Sequence, residues 1–317
     1  MDNKTFDFYD KTNLKSYNLN ESMRYQLNML STLDVFTLKH SENVANMTAK
    51  LCKHLKLNKK FTIYCTMCAY LHDIGKTFIP AKILQKKGKL TPEEYEVMKT
   101  HTTIGHKMCM EDLKLRPYAN GALYHHEGLD GSGYPTGAVK EDIPFEAQII
   151  RVADEYDAIV SRRQYKSHIN ISDTLRILAE ETIPAYKIGR QNVKKPEYSQ
   201  MNPIIVQALL EVVEQDTMRE IECEKSYIKY VQKQIARLEK LDEYINGYKL
   251  AETERDKKDF KELINYSLKS GETLNNYKQV TLEYKQALLN HLDVVQKLEN
   301  EINKIENIEV DNWINEE

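Results

Sequence analysis

His72-Asp73-Ile74-Gly75-Lys76 closes an apolar stretch, Phe61 to Leu71, and sets an imidazole beside a carboxylate just ahead of a glycine. Adjacent side chains diverge on a regular helix, but at a helix end both can turn toward one cation, and a carboxylate can bridge two. A buried His-Asp pair taken alone is equally a structural hydrogen bond. Other potential ligands recur, however, on other apolar faces. His40 keeps register with Val44, Met47 and Leu51, and His101 with Tyr95 and Met98. His125-His126 follows Leu123-Tyr124 at the mouth of a loop marked by Gly128, Gly131, Gly133, Pro135 and Gly137, and Asp154 lies among small and apolar residues in QIIRVADEYDAIV. An unpaired buried carboxylate is costly, so Asp154 calls for a partner that a divalent cation would provide. Histidine with aspartate and without cysteine suits iron, manganese or zinc, and argues against a purely structural zinc.

The elements that must position these groups read as helices. Apolar residues recur at Val44, Met47, Leu51 and Leu55, then at Ile63, Met67, Tyr70 and Leu71, and long alternating strands are absent. Thr91-Pro92-Glu93-Glu94 is a capping box with proline at the first helical position, which predicts a helix from about Pro92 to Met110. The glycine-rich loop lacks the spacing and the Lys-Ser/Thr ending of a triphosphate-binding loop. After Pro203 no proline occurs. In that tail Ile228, Val231, Ile235 and Leu238, then Val295, Leu298, Ile302 and Ile305, alternate three- and four-residue steps. Such narrow seams fit a folded helical hairpin or a long dimeric coil, and both stay open.

At 317 residues the chain has room for about two domains. Its net charge of -3 offers no global field for duplex nucleic acid or an anionic membrane. The first residues lack the apolar core of a signal peptide, and no run of about 18 apolar residues occurs, so a cytoplasmic protein without a membrane partner is expected. The cysteines at 52, 65, 68, 109 and 223 form no disulfide framework. Cys65 and Cys68, a CxxC inside an apolar helical run, are expected as buried small hydrophobes.

Together, His40-Ser41, HDIGK at 72–76, Ile79-Pro80, LTPEE at 90–94, His101, HHEGLDGSGYP at 125–135, ADEYDA at 153–158 and Arg163-Gln164-Tyr165-Lys166 are similar to the HD-GYP domain. That branch of the HD phosphohydrolases resembles bacterial cyclic di-GMP phosphodiesterases, and the likeness covers roughly Leu30 to Val213. With the helical seams of the tail, it gives an all-α chain: an extension over 1–30, an HD-type helical bundle around a metal site over 31–215, and a helical hairpin or coiled-coil-like region over 216–317. By the same resemblance, His40, His72, Asp73 and Asp154 hold one metal, His101, His125 and His126 a second, and Asp73 bridges, with iron or manganese favoured. Lys76 then faces a phosphate oxygen, Arg163 and Lys166 grip the second phosphate or a guanine, and Tyr134 stacks on a base or packs the loop. Asp157 orients a neighbour, and Glu127 supports the paired histidines.

Some members of the family carry a glutamate one turn before the first histidine, where it helps to hold a third metal. This chain has Phe36 there, which favours two metals and moves the expected product from GMP toward pGpG. Gly128-Leu129 replaces the bulkier Arg-Trp often found in the loop and reshapes the substrate mouth. The resemblance thus implies a phosphodiesterase that hydrolyses cyclic di-GMP by metal-activated hydroxide. The alternatives are preference for cyclic GMP-AMP or another cyclic dinucleotide, and a non-catalytic sensor signalling through its tail. A homodimer or protein partner is expected through 216–317.

Overall fold

The computed structural model describes residues 35–164 and 171–316. Two compact units divide them: one runs to Val213 and takes up the chain again from Asn307, and the other is Glu214–Glu306. Among the described residues there is no strand. The first unit contains α1 (Val35–His54), α2 (Lys59–Leu71), a 3-10 turn (Ile74–Phe78), α3 (Ala81–Leu84), α4 (Pro92–Lys99), α5 (His101–Glu111), α6 (Ala119–Tyr124), α7 (Phe145–Gln164), α8 (Ile171–Glu180), α9 (Ala185–Ile188) and the start of α10 (Pro203–Leu250). No described helix is long and apolar enough to cross a membrane.

The bundle is built on the apolar faces that the periodicity marks. Val44, Ala45 and Leu51 of α1 are wholly buried, as are Cys65, Cys68, Ala69 and Leu71 of α2. Asn58 starts α2 by accepting a hydrogen bond from the Phe61 amide at 2.9 Å, one of the orphan donors of a helix N-terminus. Helix α1 packs on α2 and α7, and α5 packs on α6 and on the turn that follows Asp73. The cysteines of the CxxC are buried and free, in keeping with small hydrophobes on a helix.

The capping box forms, with Thr91 Oγ1 accepting from the Glu94 amide at 3.2 Å and Glu94 Oε2 accepting from the Thr91 amide at 2.8 Å. The helix expected from Pro92 to Met110 is nevertheless broken at Thr100, whose hydroxyl donates to the Val97 carbonyl at 2.6 Å. A threonine that bonds back to the preceding turn competes with the helical ladder. The break makes His101 the first residue of α5, where it is buried.

The last residues rejoin the first unit by a specific contact. Trp313 stacks on Tyr198 with centroids 5.1 Å apart, donates from Nε1 to Ser199 Oγ at 2.9 Å, and joins a cluster with Leu129, Ala138, Ile143 and Ala147. Leu129 and Ala138 belong to the glycine-rich loop and its exit, so the chain terminus covers one side of that loop.

The second unit comprises the rest of α10, α11 (Glu254–Ser267) and α12 (Tyr277–Ile305). Its seams close on each other. Ile221 and Ile228 of α10 meet Val295 of α12, with Leu288, Leu298 and Ile302 packed around them, and Leu238 and Leu241 meet Ile264 and Tyr277. Arg237 adds a bidentate pair with Glu272 and a bond to the Ser267 carbonyl. Of the two architectures the periodicity permits, the folded hairpin is the one formed.

Gly75 decides how close two parts of the bundle come. A Cβ built there would lie 1.9 Å from the His101 carbonyl oxygen and 2.6 Å from the Gly105 nitrogen, both backbone atoms that cannot swing aside. Gly75→Ala is therefore expected to destabilise the fold by roughly 1–3 kcal/mol through overpacking, read by urea unfolding. Gly88→Ala, with nothing within 4 Å, should stay within about 0.5 kcal/mol of the parent. Equal unfolding midpoints for the two variants would refute the close-approach argument.

Candidate metal centre

Five elements deliver their side chains to one point. His40 comes from α1, His72 and Asp73 from the end of α2, His101 from the start of α5, His125 and His126 from the end of α6, and Asp154 from the middle of α7. The Asp73 carboxylate lies between two groups of imidazoles. Its Oδ1 is 3.4 Å from His101 Nε2 and 3.9 Å from His125 Nε2, while its Oδ2 is 3.3 Å from His72 Nε2 and 3.7 Å from His40 Nε2. Asp154 Oδ1 is 2.9 Å from His40 Nε2 and 3.7 Å from His72 Nε2, and its Oδ2 is 3.9 Å from His126 Nδ1. All the metal-ligand candidates named from the sequence thus converge.

Backbone carbonyls set the ring orientations. His72 Nδ1 bonds the Ala69 carbonyl and His101 Nδ1 the Met98 carbonyl, both at 2.6 Å, and His125 Nδ1 bonds the Gly121 and Ala122 carbonyls at 3.0 Å. A carbonyl only accepts, so Nδ1 of each ring carries a proton, and Nε2 presents a lone pair wherever the ring is neutral, as at His101 and His125. His101 Nε2 and His125 Nε2 then face each other at 3.2 Å with no proton to share. In addition, buried His72 Nε2 and Asp73 Oδ1 make no hydrogen bond at all. Buried polar atoms are seldom left so, and electron-pair donors pointed at one another are what a cation between them would satisfy. The candidate ligand sets His101-His125-His126, His40-His72-Asp73 and His72-His125-Asp154 each place their donor atoms within 4.8 Å of one another. The residues fit a site for divalent cations.

Electrostatics agree with that chemistry. Burial lowers His125 well below the usual imidazole range, lowers His126 to about 3, and depresses His101 as well. These rings are neutral, as ligands must be. At His40 and His72 burial also pulls downward, but the Asp154, Asp157 and Asp73 carboxylates outweigh it and raise the rings to about 9 and about 10. Burial pushes Asp73 and Asp154 upward, and the facing His72, Lys76 and His40 overcome it to hold both carboxyls well below their ordinary value. Protons on His40 and His72 thus balance the two ionised carboxylates, and divalent cations would displace those protons and free the Nε2 lone pairs.

The supporting residues divide between the expected and the unexpected. Asp157 Oδ2 lies 2.7 Å from His40 Nδ1, and its Oδ1 accepts from Asn43 Nδ2 at 2.9 Å, so it orients His40 as its position one turn after Asp154 suggests. Glu127 does not support the paired histidines. Its Oε1 accepts from the Thr136 amide at 2.7 Å and hydroxyl at 2.8 Å, and its Oε2 from the Ala138 amide at 3.0 Å, so this buried carboxylate ties the glycine-rich loop instead. Lys76 Nζ hydrogen-bonds Asp73 Oδ2. Tyr134 stacks on His126 at 4.8 Å and meets Tyr95 edge-on at 6.3 Å, with Lys99 Nζ 5.7 Å from the Tyr134 centroid. Tyr95, which the periodicity marks only as part of an apolar face, is half exposed beside Tyr134. Lys166 and the side chains of Arg163 and Phe36 lie outside the described residues.

An all-α bundle that turns imidazoles from four segments onto two buried carboxylates defines a histidine–aspartate metal-binding domain. The profile of the family described as "HD domain" matches residues 24–186, about half of the chain, and this chain belongs to that family, in its HD-GYP type. It is 43% identical over 153 residues to a cyclic di-GMP phosphodiesterase of Thermotoga maritima, covering 47% of this chain and 42% of that protein. It is 42% identical over 127 residues to the cyclic di-GMP phosphodiesterase response regulator RpfG of Xanthomonas campestris, covering 39% and 34%. With the 3'3'-cGAMP-specific phosphodiesterase 1 of Vibrio cholerae it shares 32% over 154 residues, covering 49% and 36%. The chain spans well under half the length of these curated relatives.

The Asp157–His40 contact makes a measurable claim. Partners that fix a ligating histidine are typically worth about 10–100-fold in metal affinity. Asp157→Ala should weaken Mn²⁺ binding by about that factor in calorimetric titration of the full chain. An unchanged dissociation constant would remove Asp157 from the site.

Proposed function

We propose that this chain is a metal-dependent phosphodiesterase that opens cyclic di-GMP to pGpG. The observation that carries the reading is Asp73, whose two oxygens face separate groups of imidazoles. His40, His72, Asp73 and Asp154 would hold one cation and His101, His125 and His126 a second, with Asp73 between, and iron or manganese suits such nitrogen and oxygen donors. Bound there, divalent cations supply Lewis acidity, which makes water a nucleophile at neutral pH and offsets charge on the phosphate.

The chain's own residues hold the reactants. The Nδ1 bonds to carbonyls keep the Nε2 lone pairs inward before substrate arrives, so little reorganisation is left to the reaction. Lys76, three residues beyond Asp73, places an ammonium beside the carboxylate, where it stands ready for a nonbridging phosphate oxygen. Tyr134, stacked on His126 at the loop, offers a ring face to a base. In the overall step the water oxygen bonds to phosphorus, the bond from phosphorus to the 3′ oxygen breaks, and that oxygen takes up a proton. A 5′-phosphate and a 3′-hydroxyl remain, which is pGpG.

The relatives' names support a cyclic dinucleotide as substrate, and they divide between cyclic di-GMP and cGAMP. Phe36, in place of a carboxylate that would hold a third metal, supports two cations and release at pGpG. A cytoplasmic setting, and a second copy or protein partner at the helical region 216–317, belong to the same proposal. The test is direct. Anaerobically purified full chain with Mn²⁺ or Fe²⁺ should convert cyclic di-GMP to pGpG, identified by mass spectrometry, at a higher kcat/KM than cyclic GMP-AMP. The His72→Ala, Asp73→Ala double variant should yield no product above background. No pGpG from the metal-replete parent would refute the function, and a higher kcat/KM for cyclic GMP-AMP would refute the base preference.

A further inference from the structure

Arg151 lies on α7 three residues before Asp154, one helical turn from a group that the site requires. Its Nε is buried and has no hydrogen-bond partner. Among the described residues no carboxylate pairs with it, although ion pairs hold the guanidinium groups of Arg190 and Arg237 elsewhere in the chain. The side chain as a whole is only partly buried, but a donor of this cationic group withdrawn from water and left unpaired is costly, so a partner for it is to be sought in what the site binds.

The sign of the charge narrows that partner. A metal cation would repel a guanidinium and cannot satisfy a donor, and a neutral purine would leave its charge uncompensated. A phosphate diester supplies both acceptor oxygens and negative charge, and the planar fork of arginine matches it. A cyclic dinucleotide has two such diesters, of which only one can react at the metal ligands at a time. The influence of Arg151 also extends to the right place. The Arg151 charge is felt at both His126 and Tyr134. His126 and Tyr134 are the residues that line the loop side of the site.

We propose that Arg151 is a substrate-positioning residue that binds the non-reacting phosphate of the cyclic dinucleotide. The inference rests on the phosphodiesterase reading above and adds to it a residue outside the matched motifs. Loss of one charge-assisted bond corresponds to about a 10–100-fold change in binding. Arg151→Gln should therefore raise KM for cyclic di-GMP by about that factor with kcat altered less than about threefold. The rise should exceed by at least tenfold any rise for bis(p-nitrophenyl) phosphate, which has one phosphate. Arg151→Lys should recover part of the loss, since it restores the charge without the fork. Calorimetric binding of cyclic di-GMP to the parent and Arg151→Gln, with Ca²⁺ in place of Mn²⁺, measures the contact without turnover. A parent that binds but does not hydrolyse would defeat the phosphodiesterase reading and leave the affinity comparison to decide Arg151. Equal affinities, equal losses on both substrates, or a switch in preference between cyclic di-GMP and cyclic GMP-AMP would each overturn the assignment, as would a parent that does not bind.

Discussion

Everything in the first unit answers to one electrostatic demand: the Asp73 carboxylate is 1% exposed and yet ionised. An isolated charge so placed is untenable. The fold meets the demand by surrounding Asp73 with imidazoles from helices far apart in the sequence: His72, His101 and His125 are pinned through Nδ1 to carbonyls of their own turns, and His40 through Nδ1 to Asp157. That arrangement fixes what each helix must do. Helix α2 has to end where it does so that His72 and Asp73 both turn inward, α5 has to begin at His101, and the backbone after Asp73 has to lie against that beginning, which Gly75 permits.

A second demand falls on the glycine-rich loop. It has few apolar side chains of its own, so its form depends on polar ties from within and on cover from without. Glu127 provides the ties to Thr136 and Ala138, and Trp313 with Tyr198 provides cover over Leu129 and Ala138. The stack of Tyr134 on His126 then joins the loop to the metal-ligand candidates. Binding groups and loop thus share one support, which is what the proposed positioning of a phosphodiester would require.

The metal-ligand candidates were legible because each sits in a short motif or on a marked apolar face, and the periodicity that buried Val44 and Leu51 also told which way His40 points. Asp157 was legible for the same reason, being one turn from Asp154. Other features required tertiary information. Glu127 follows the paired histidines directly, which suggested that it serves them, but the chain turns there and the carboxylate meets the loop instead. The break at Thr100 depends on a side-chain bond that propensity does not record. Gly75 reads as a mere helix terminator until the His101 backbone is placed beside it. The seams of the tail are identical whether they face their own chain or another, so only the packing of Ile228 on Val295 distinguishes hairpin from coil. Nothing local marks Trp313 for Tyr198, more than a hundred residues earlier.

That last contact changes the grammar of the chain. Because residues 307–317 belong with the first unit, the segment Glu214–Glu306 is a parenthesis within it, opened inside the first quarter of α10 and closed before Trp313. A parenthesis cannot be removed by cutting at its opening mark. Truncation after Val213 also strips the aromatic cover from the loop beside His126, so a shortened protein would differ from its parent in two respects while seeming to differ in one. The faithful excision is a splice that joins the two flanks and keeps the closing words of the sentence.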